Sequence, residues 1–162
     1  MSRPHAWRKL LPERDMKLRL GDRVGYRGVD YLVDDILTYA LSDRSLHLAR
    51  LVGGGQVRFV EPAASEAHDR VLVLSAIEKL DIMTPPPATI YHRGESYLLR
   101  LSGAATVTAG GGEPQTCTLW RYRAAGDQVL QIEQWPGRVR MLVGASVHLD
   151  MLEIRPATFK DL

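Results

Sequence analysis

The chain has 162 residues, a formal net charge of +2, 45% hydrophobic and 25% charged residues. These values are ordinary for a globular protein and exclude a disordered tail, a collagen-like fibre and a disulfide-stapled scaffold. The length predicts one domain, or two very small ones that share a core. The only cysteine, Cys117, excludes an intramolecular disulfide and favours a reducing compartment.

The basic residues are concentrated at the start of the chain. Residues 1–19 carry six Lys or Arg against two acids, residues 20–83 carry seven against ten, and residues 84–162 carry eight against seven. We therefore expect a basic N-terminal arm over residues 1–19. The small net charge of the whole chain disfavours nucleic acid as a partner. No apolar run approaches the roughly 20 residues that span a bilayer, so we expect a cytoplasmic protein with no membrane span.

Alternation of apolar and polar residues, the period of a β-strand, dominates the chain. Turns rich in glycine separate the alternating runs, which predicts antiparallel hairpins. The only helix candidates are short, at Pro12–Lys17 and Ser65–Asp69. After Met151 the inward-facing set shifts by one residue, which indicates a bulge or a bend. The alternating runs are Ser45–Ala49, Gln56–Phe59, Val129–Gln134, Arg138–Val143 and Val147–Met151.

Three prolines, Pro85–Pro87, predict an extended connector over residues 84–87. The segments Arg27–Leu32 and Arg93–Leu98 lie on its two sides and share the pattern Arg-Gly, two residues, Tyr-Leu. Glycine allows the turn of a tight hairpin in both segments. We interpret this match as an internal repeat. The repeat consists of a first β unit at residues 20–83 and a second at 88–156. A C-terminal tail at 157–162 follows.

A second match in the same order pairs Leu46–Leu48 with Leu130–Ile132. Each unit then has one apolar face that must be buried against another layer. The predicted fold is all-β and mainly antiparallel with little helix. In it, two pseudo-repeated units pack as a sandwich or as a pair of half-open barrels within one compact domain.

No recognisable catalytic motif is present. The chain lacks a Gly-x-Ser-x-Gly elbow, a Cys-His pattern and Ser-x-x-Lys, so we assign no catalytic residue. His148 and Asp150 would share an outward strand face, but no third ligand is visible, and we expect neither a metal nor another cofactor. Cys117 lies in a strand-like run, which favours a buried, inert thiol.

The most suggestive surface lies in the second β unit. Alternation places six side chains on one expected outward face. Two are arginines of the strand at 116–123, two are arginines of the strand at 138–143, and the other two are a Glu and a Trp of the strand between them. Such a face can bind a carboxylate, a phosphate or a planar group. It can equally be a solvated face with weak cross-strand ion pairs. The candidate ligand- or partner-binding residues are Arg121, Arg123, Glu133, Trp135, Arg138 and Arg140.

Tyrosine and glycine recur in a characteristic order: Gly21-Asp22, then Tyr26 to Tyr39, and later Tyr91-x-x-Gly94-x-x-Tyr97, Trp120-x-Tyr122 and Ile132-Glu133-Gln134-Trp135. Over residues 18–156 the chain thereby resembles the bacterial domain-of-unknown-function family 4178. The resemblance implies a mainly β domain, often present twice in one chain, and implies no activity. Members are often encoded beside small membrane proteins and aminopropyltransferases similar to spermidine synthase. The first β unit, residues 20–83, lacks the tryptophans that we expect from the family.

We expect a non-enzymatic binding or adaptor module, in an envelope-stress or polyamine-linked context. Its partner would be a protein or a small anionic ligand, and it could form a homodimer through a sheet edge. One alternative is an enzyme that uses carboxylates such as Glu133 or Asp150 on a small cationic substrate. Another is a weak nucleic-acid binder that uses the basic arm. An enzyme needs a concave pocket with converging titratable groups, whereas a binding module can use a flat face or an open sheet edge.

Overall fold

The computed structural model describes residues 17–62, 69–77 and 82–157. The predicted helices at Pro12–Lys17 and Ser65–Asp69, the basic arm and the C-terminal tail lie wholly or largely outside the described residues. Among those residues we find no helix with the length and apolar character needed to cross a membrane. The strands are β1 (Arg23–Tyr26), β2 (Val29–Ala40), β3 (Ser45–Gly53), β4 (Gln56–Pro62), β5 (Arg70–Ile77), β6 (Thr89–His92), β7 (Glu95–Ala109), β8 (Gln115–Ala124), β9 (Gln128–Trp135), β10 (Arg138–His148) and β11 (Leu152–Arg155).

All neighbouring strands pair antiparallel, in the order β11-β1-β2-β3-β4-β5-β10-β9-β8-β7-β6. A further pairing joins Leu37–Ala40 of β2 to residues 106–109 of β7. This pairing closes β2–β5 and β7–β10 into one eight-stranded barrel. The prediction of an all-β antiparallel fold is confirmed. The predicted sandwich or pair of half-open barrels is wrong, because the two halves hydrogen-bond edge to edge at both junctions instead of packing face to face.

The long strands β2 and β7 each contain a bulge that lets one strand serve two layers. The register shifts after Val33 in β2 and after Leu99 in β7. Because an extra residue reverses the side to which later side chains point, Tyr31 and Tyr97 pack outside the barrel while later residues of the same strands point into it. The hairpins β1–β2 and β6–β7 thereby fold over the outer surface of the barrel.

Within the described ranges, apolar side chains form three clusters. The first fills the barrel interior, around Tyr39 and Leu48. The second lies outside the barrel beneath β1, the first half of β2 and β11. The third lies outside it beneath β6 and is joined by Ile82, which precedes the proline-rich connector. Tyr122 Oη donates a hydrogen bond of 2.8 Å to the carbonyl oxygen of Pro87. The connector therefore packs on the barrel wall.

The matched segments Arg27–Leu32 and Arg93–Leu98 begin with the same turn. Arg27 and Gly28 have φ angles of 48° and 77°, and Arg93 and Gly94 have 49° and 78°. Two successive residues in the left-handed region define the type I′ turn, which matches the twist of the flanking strands. The segments of the second predicted match do not occupy equivalent strands. Leu46–Leu48 lies one strand after the hairpin β1–β2, whereas Leu130–Ile132 lies two strands after the hairpin β6–β7. The expected bulge after Met151 is a 3-10 turn, Leu149–Met151, between β10 and β11.

Candidate functional site

Four of the six predicted site residues, Arg121, Glu133, Trp135 and Arg140, point into the interior of the barrel. The strands β8, β9 and β10 are neighbours, as expected, and their registers bring Arg121 and Glu133 onto one face. That face is buried: Glu133 is 0%, Trp135 7% and Arg121 8% exposed. The expected outward orientation is therefore wrong. The reason is that both faces of these strands are buried: the apolar face packs beneath β6, and the face that carries the polar residues lines the barrel interior.

Two of the predicted residues stand apart from the others. Arg123 pairs with Val129 near the start of β9, whereas Arg138 pairs with Trp135 at the end of β9. At about 3.3 Å per residue, these two positions lie roughly 20 Å apart along the strand. Both arginines are exposed, and the Arg138 guanidinium lies 5.4 Å from the centroid of the Trp135 ring. The six predicted residues therefore do not form one surface.

Glu133 is the centre of a buried polar network. Its Oε2 accepts hydrogen bonds from Tyr39 Oη at 2.8 Å and from Gln131 Nε2 at 2.6 Å. Its Oε1 accepts from Trp135 Nε1 and from Arg140 Nε, both at 2.9 Å. A carboxylate removed from water must recover its lost hydration through such donors. The four donors and the charge of Arg140 provide this compensation.

The network continues to the opposite wall of the barrel through Gln131. The Gln131 Oε1 accepts from Arg121 Nε at 3.0 Å and from Nη2 at 2.6 Å. Arg121 in turn donates two hydrogen bonds of 2.8 Å to Glu61. The candidate residues predicted from the sequence did not include Tyr39, Glu61 or Gln131. The signal for Glu61 was a carboxylate next to the apolar run of β4, which needs a buried partner. We call these seven side chains the interior network: Tyr39, Glu61, Arg121, Gln131, Glu133, Trp135 and Arg140.

Burial and charge shift three pKa values inside the barrel. Burial, together with the Glu133 carboxylate, raises the pKa of Tyr39 far above its usual range. Burial alone would lower the pKa of Arg140, but the charge of Glu133 outweighs this effect and raises it. Burial, followed by repulsion from Glu133, raises the pKa of Cys117 to about 12. The predicted buried thiol is confirmed, and its high pKa keeps it protonated at neutral pH.

A separate depression of about 410 Å³ lies over Gly25, between the β1–β2 turn and β11. Gly25 has no side chain, and its cross-strand neighbours Asp30 and Glu153 form two walls. The lining is mixed in charge, because Arg155 donates a hydrogen bond to Asp30. In the described ranges, no group of three or more His, Cys, Asp or Glu side chains is arranged to hold a metal.

The strand β6 presents an open edge. It pairs on one side with β7 and ends the strand order among the described residues. In a two-residue hairpin, the flanking pair His92 and Glu95 exchanges both backbone hydrogen bonds, and so does the pair Ile90 and Tyr97. The backbone N–H and C=O groups of Tyr91 therefore point away from β7. The side chain of Tyr91 is 79% exposed.

The corresponding strand β1 is covered. Strand β11 pairs with it antiparallel, with Leu152 opposite Tyr26 and Ile154 opposite Val24. These two apolar side chains join the cluster beneath the hairpin, while Glu153 lies on the other face. Among the described residues, a four-residue strand is thus docked on the first hairpin, and no strand pairs with the outer edge of the second.

The two hairpins also share a buried anchor. Tyr31 Oη donates a hydrogen bond of 3.2 Å to Gln56, at the start of β4. Tyr97 Oη donates one of 3.0 Å to Gln128, at the start of β9. Each hairpin is therefore held to the barrel by a tyrosine on its return strand and a glutamine two strands later. This common geometry makes β1 and β6 directly comparable edges.

These features define an all-β protein in which two external hairpins flank a closed antiparallel barrel with a polar network inside. The family model for a domain of unknown function, DUF4178, matches residues 19–149. The chain therefore belongs to this family, and the resemblance inferred from its tyrosine and glycine pattern is confirmed. No curated protein and no solved structure matches the chain.

Proposed function

We propose that this member of the DUF4178 family is a non-enzymatic binding module that accepts an extended segment of a partner protein as a further strand on β6. One observation carries the proposal. The hairpin β1–β2 already accepts such a strand from β11, whereas in the described part of the chain no strand pairs with the outer edge of the hairpin β6–β7, which has the same turn and a corresponding Tyr–Gln anchor.

Strand addition gains its affinity from backbone hydrogen bonds along a free sheet edge, and its selectivity from side chains at alternate positions. Both elements are present at β6. The outward backbone groups of Thr89 and Tyr91 are available for pairing, and Leu98, which is 47% exposed, lies cross-strand from Thr89. An open edge flanked by exposed apolar side chains is the usual template for such pairing.

The interior network supports the role of the barrel as a rigid support. It links β2, β4, β8, β9 and β10 through side-chain hydrogen bonds that cross the interior. Polar networks that are fully satisfied hold surrounding strands in one register. The barrel strands that carry the β6–β7 hairpin are therefore fixed, so an incoming strand meets an edge that is already ordered.

The test uses fluorescently labelled hexapeptides of the form Gly-Leu-x-Ile-x-Gly, which copy the apolar spacing of β11, with x as Glu, Gln or Lys. Binding is measured by fluorescence anisotropy. Tyr91→Pro removes the outward N–H without affecting the pairing to β7, because proline is tolerated at an outward edge position. Tyr91→Ala is the matched control, since it removes the side chain and keeps the N–H.

We expect at least one peptide of the panel to bind, and we expect Tyr91→Pro to weaken it about tenfold, the effect of leaving one hydrogen-bonding group unpaired. Tyr91→Ala should weaken binding less than Tyr91→Pro does. The thermal unfolding midpoint of each variant shows that the barrel is intact. Failure of all three peptides to bind, or equal binding by Tyr91→Pro and wild type, would overturn the proposal.

A further inference from the structure

We infer that the strand received by β6 is acidic, with apolar residues at alternate positions; this inference rests on the proposed function. The comparison of the two hairpins identifies the chemistry. On the covered hairpin, Asp30 accepts a hydrogen bond from Arg155 of the docked strand and lies 3.8 Å from Arg23. Asp30 therefore provides the carboxylate that receives a basic residue from β11.

The open hairpin has no carboxylate at this position. Ser96 follows Gly94 by two residues, just as Asp30 follows Gly28 by two, and each lies cross-strand from the central residue of the edge strand, Tyr91 or Gly25. A basic side chain on a strand docked at β6 would lie near the hydroxyl group of Ser96, whereas Arg155 on β11 lies near the carboxylate of Asp30. A partner with the charge pattern of β11 is therefore disfavoured at β6.

The charges around β6 are mainly positive. Arg93 lies in the hairpin turn, Arg100 in the β7 bulge, and Arg123 lies cross-strand from Leu98 on β8. All three are exposed, and none forms a salt bridge in the part of the chain that the structure describes. Glu95 is the one acid within this hairpin. Acidic side chains on a docked strand would therefore lie in a favourable potential.

The apolar positions follow from the register of β11. Leu152 is 8% exposed and Ile154 packs against the cluster beneath β1. The corresponding positions on a strand docked at β6 lie opposite His92 and Ile90, at the border of the cluster that contains Ile90 and Tyr97. Apolar residues there would extend this cluster, while the acidic residues between them would face the side of Tyr91.

Other occupants of the edge match these charges less well. Residues 1–19 of the chain carry a surplus of positive charge, the same sign as the three arginines. A second copy paired through β6 would bring two sets of these arginines together. Charge complementarity thus favours an acidic segment of a different protein.

The experiment compares the three hexapeptides, which differ only at the two x positions, the ones after Leu and after Ile, on wild type and on Arg93→Glu. Arg27→Glu is the matched control: it makes the same charge change in the same turn conformation, but on the hairpin whose edge is already covered. Anisotropy is measured at 50 and 500 mM NaCl. Sedimentation velocity of the free protein detects self-association.

We expect the Glu peptide to bind about tenfold more tightly than the Lys peptide at low salt, and this ratio to fall toward about two at high salt, because exposed charges are screened. Arg93→Glu should remove most of the preference, and Arg27→Glu should keep it. Binding that Tyr91→Pro weakens but that is equal for all three peptides would overturn the acidic partner and leave strand addition standing. A dimer that Tyr91→Pro disrupts, with no peptide bound, would overturn both proposals.

Discussion

Arg121 and Glu61 face each other across the barrel, and the guanidinium donates one hydrogen bond of 2.8 Å to each carboxylate oxygen. The two residues belong to β8 and β4, which are not neighbours in the sheet. Their pairing therefore ties opposite walls together. Its geometry is the bidentate form that gives an Arg–carboxylate pair both strength and a defined orientation.

Arg121→Met is expected to lower the free energy of unfolding by about 3–5 kcal/mol, because it leaves the buried Glu61 carboxylate without its counter-charge. Urea unfolding at neutral pH measures this loss. The control is Arg50→Met, which breaks the exposed pair between Arg50 and Asp34 and should cost less than about 1 kcal/mol. Equal losses for the two variants would contradict the buried pair. The double variant Glu61→Leu with Arg121→Met should recover part of the loss.

Tyr39→Phe keeps the aromatic ring but removes the hydroxyl that donates to Glu133 and accepts from Arg140 at 2.9 Å. Because both partners then lose a hydrogen bond inside the barrel, we expect a loss of about 1–3 kcal/mol in urea unfolding. Tyr97→Phe is the matched control, since its hydroxyl bonds Gln128 at a less buried site. It should cost less. A Tyr39→Phe variant as stable as wild type would show that the interior network holds without this hydroxyl.

The raised pKa of the Cys117 thiol predicts that the folded protein loses stability at alkaline pH. Its thiol has a folded-state pKa of about 12, raised from 9.0. The unfolded chain therefore releases this proton first, and the stability contributed by the protonated thiol is complete below pH 9 and is lost as the pH rises toward 12. The pKa of Tyr39 is also raised, so the contribution of its protonated hydroxyl to the stability of the fold also falls as the pH rises above 10.

The measurement is urea unfolding of wild type and Cys117→Val between pH 7 and pH 10.5. We expect the stability of wild type to fall more steeply above pH 9 than that of Cys117→Val, while the difference between the two proteins stays constant below pH 8. Parallel curves over the whole range would contradict the raised pKa of the thiol.

Gly144 marks a close approach of β10 to β5. A methyl group at Gly144 would collide with the carbonyl oxygen of Val73, a backbone atom that cannot move without breaking the ladder. We expect Gly144→Ala to destabilise the protein by more than about 2 kcal/mol, or to prevent folding, as overpacking does. At Gly103 the nearest atom is the flexible Leu41 side chain at 3.6 Å, so Gly103→Ala should leave the thermal unfolding midpoint within a few degrees of wild type. A soluble, equally stable Gly144→Ala variant would contradict the predicted collision.

Local patterns in the sequence predicted the strands but not the closure of the sheet. The alternation at Val129–Gln134 and the turn at residues 136–137 coincide with β9 and its hairpin, because strand period and turn chemistry are local properties. Closure depends on the pairing of Leu37–Ala40 with residues 106–109. No local pattern encodes a contact between segments so far apart.

The prediction that the candidate site faces outward is wrong for a related reason. Alternation in β9 separates Leu130 and Ile132 from Gln131 and Glu133, and a one-sided sheet would bury the apolar pair. In this barrel both faces are buried: the apolar one beneath the second hairpin, and the polar one in the interior. The alternation of residue types therefore predicted correctly that Gln131 and Glu133 share one face of the strand. It predicted wrongly that this face points to solvent.

The pairing of β1 with β11 has a consequence for synthesis of the protein on the ribosome. Arg23 pairs with Arg155, so β1 is covered by a strand that lies far along the chain, and contacts of such long sequence separation form slowly. All of β2–β10 must be synthesised before β11 can emerge. Until then β1 lacks the strand that covers it in the folded protein, and its backbone edge is open for pairing.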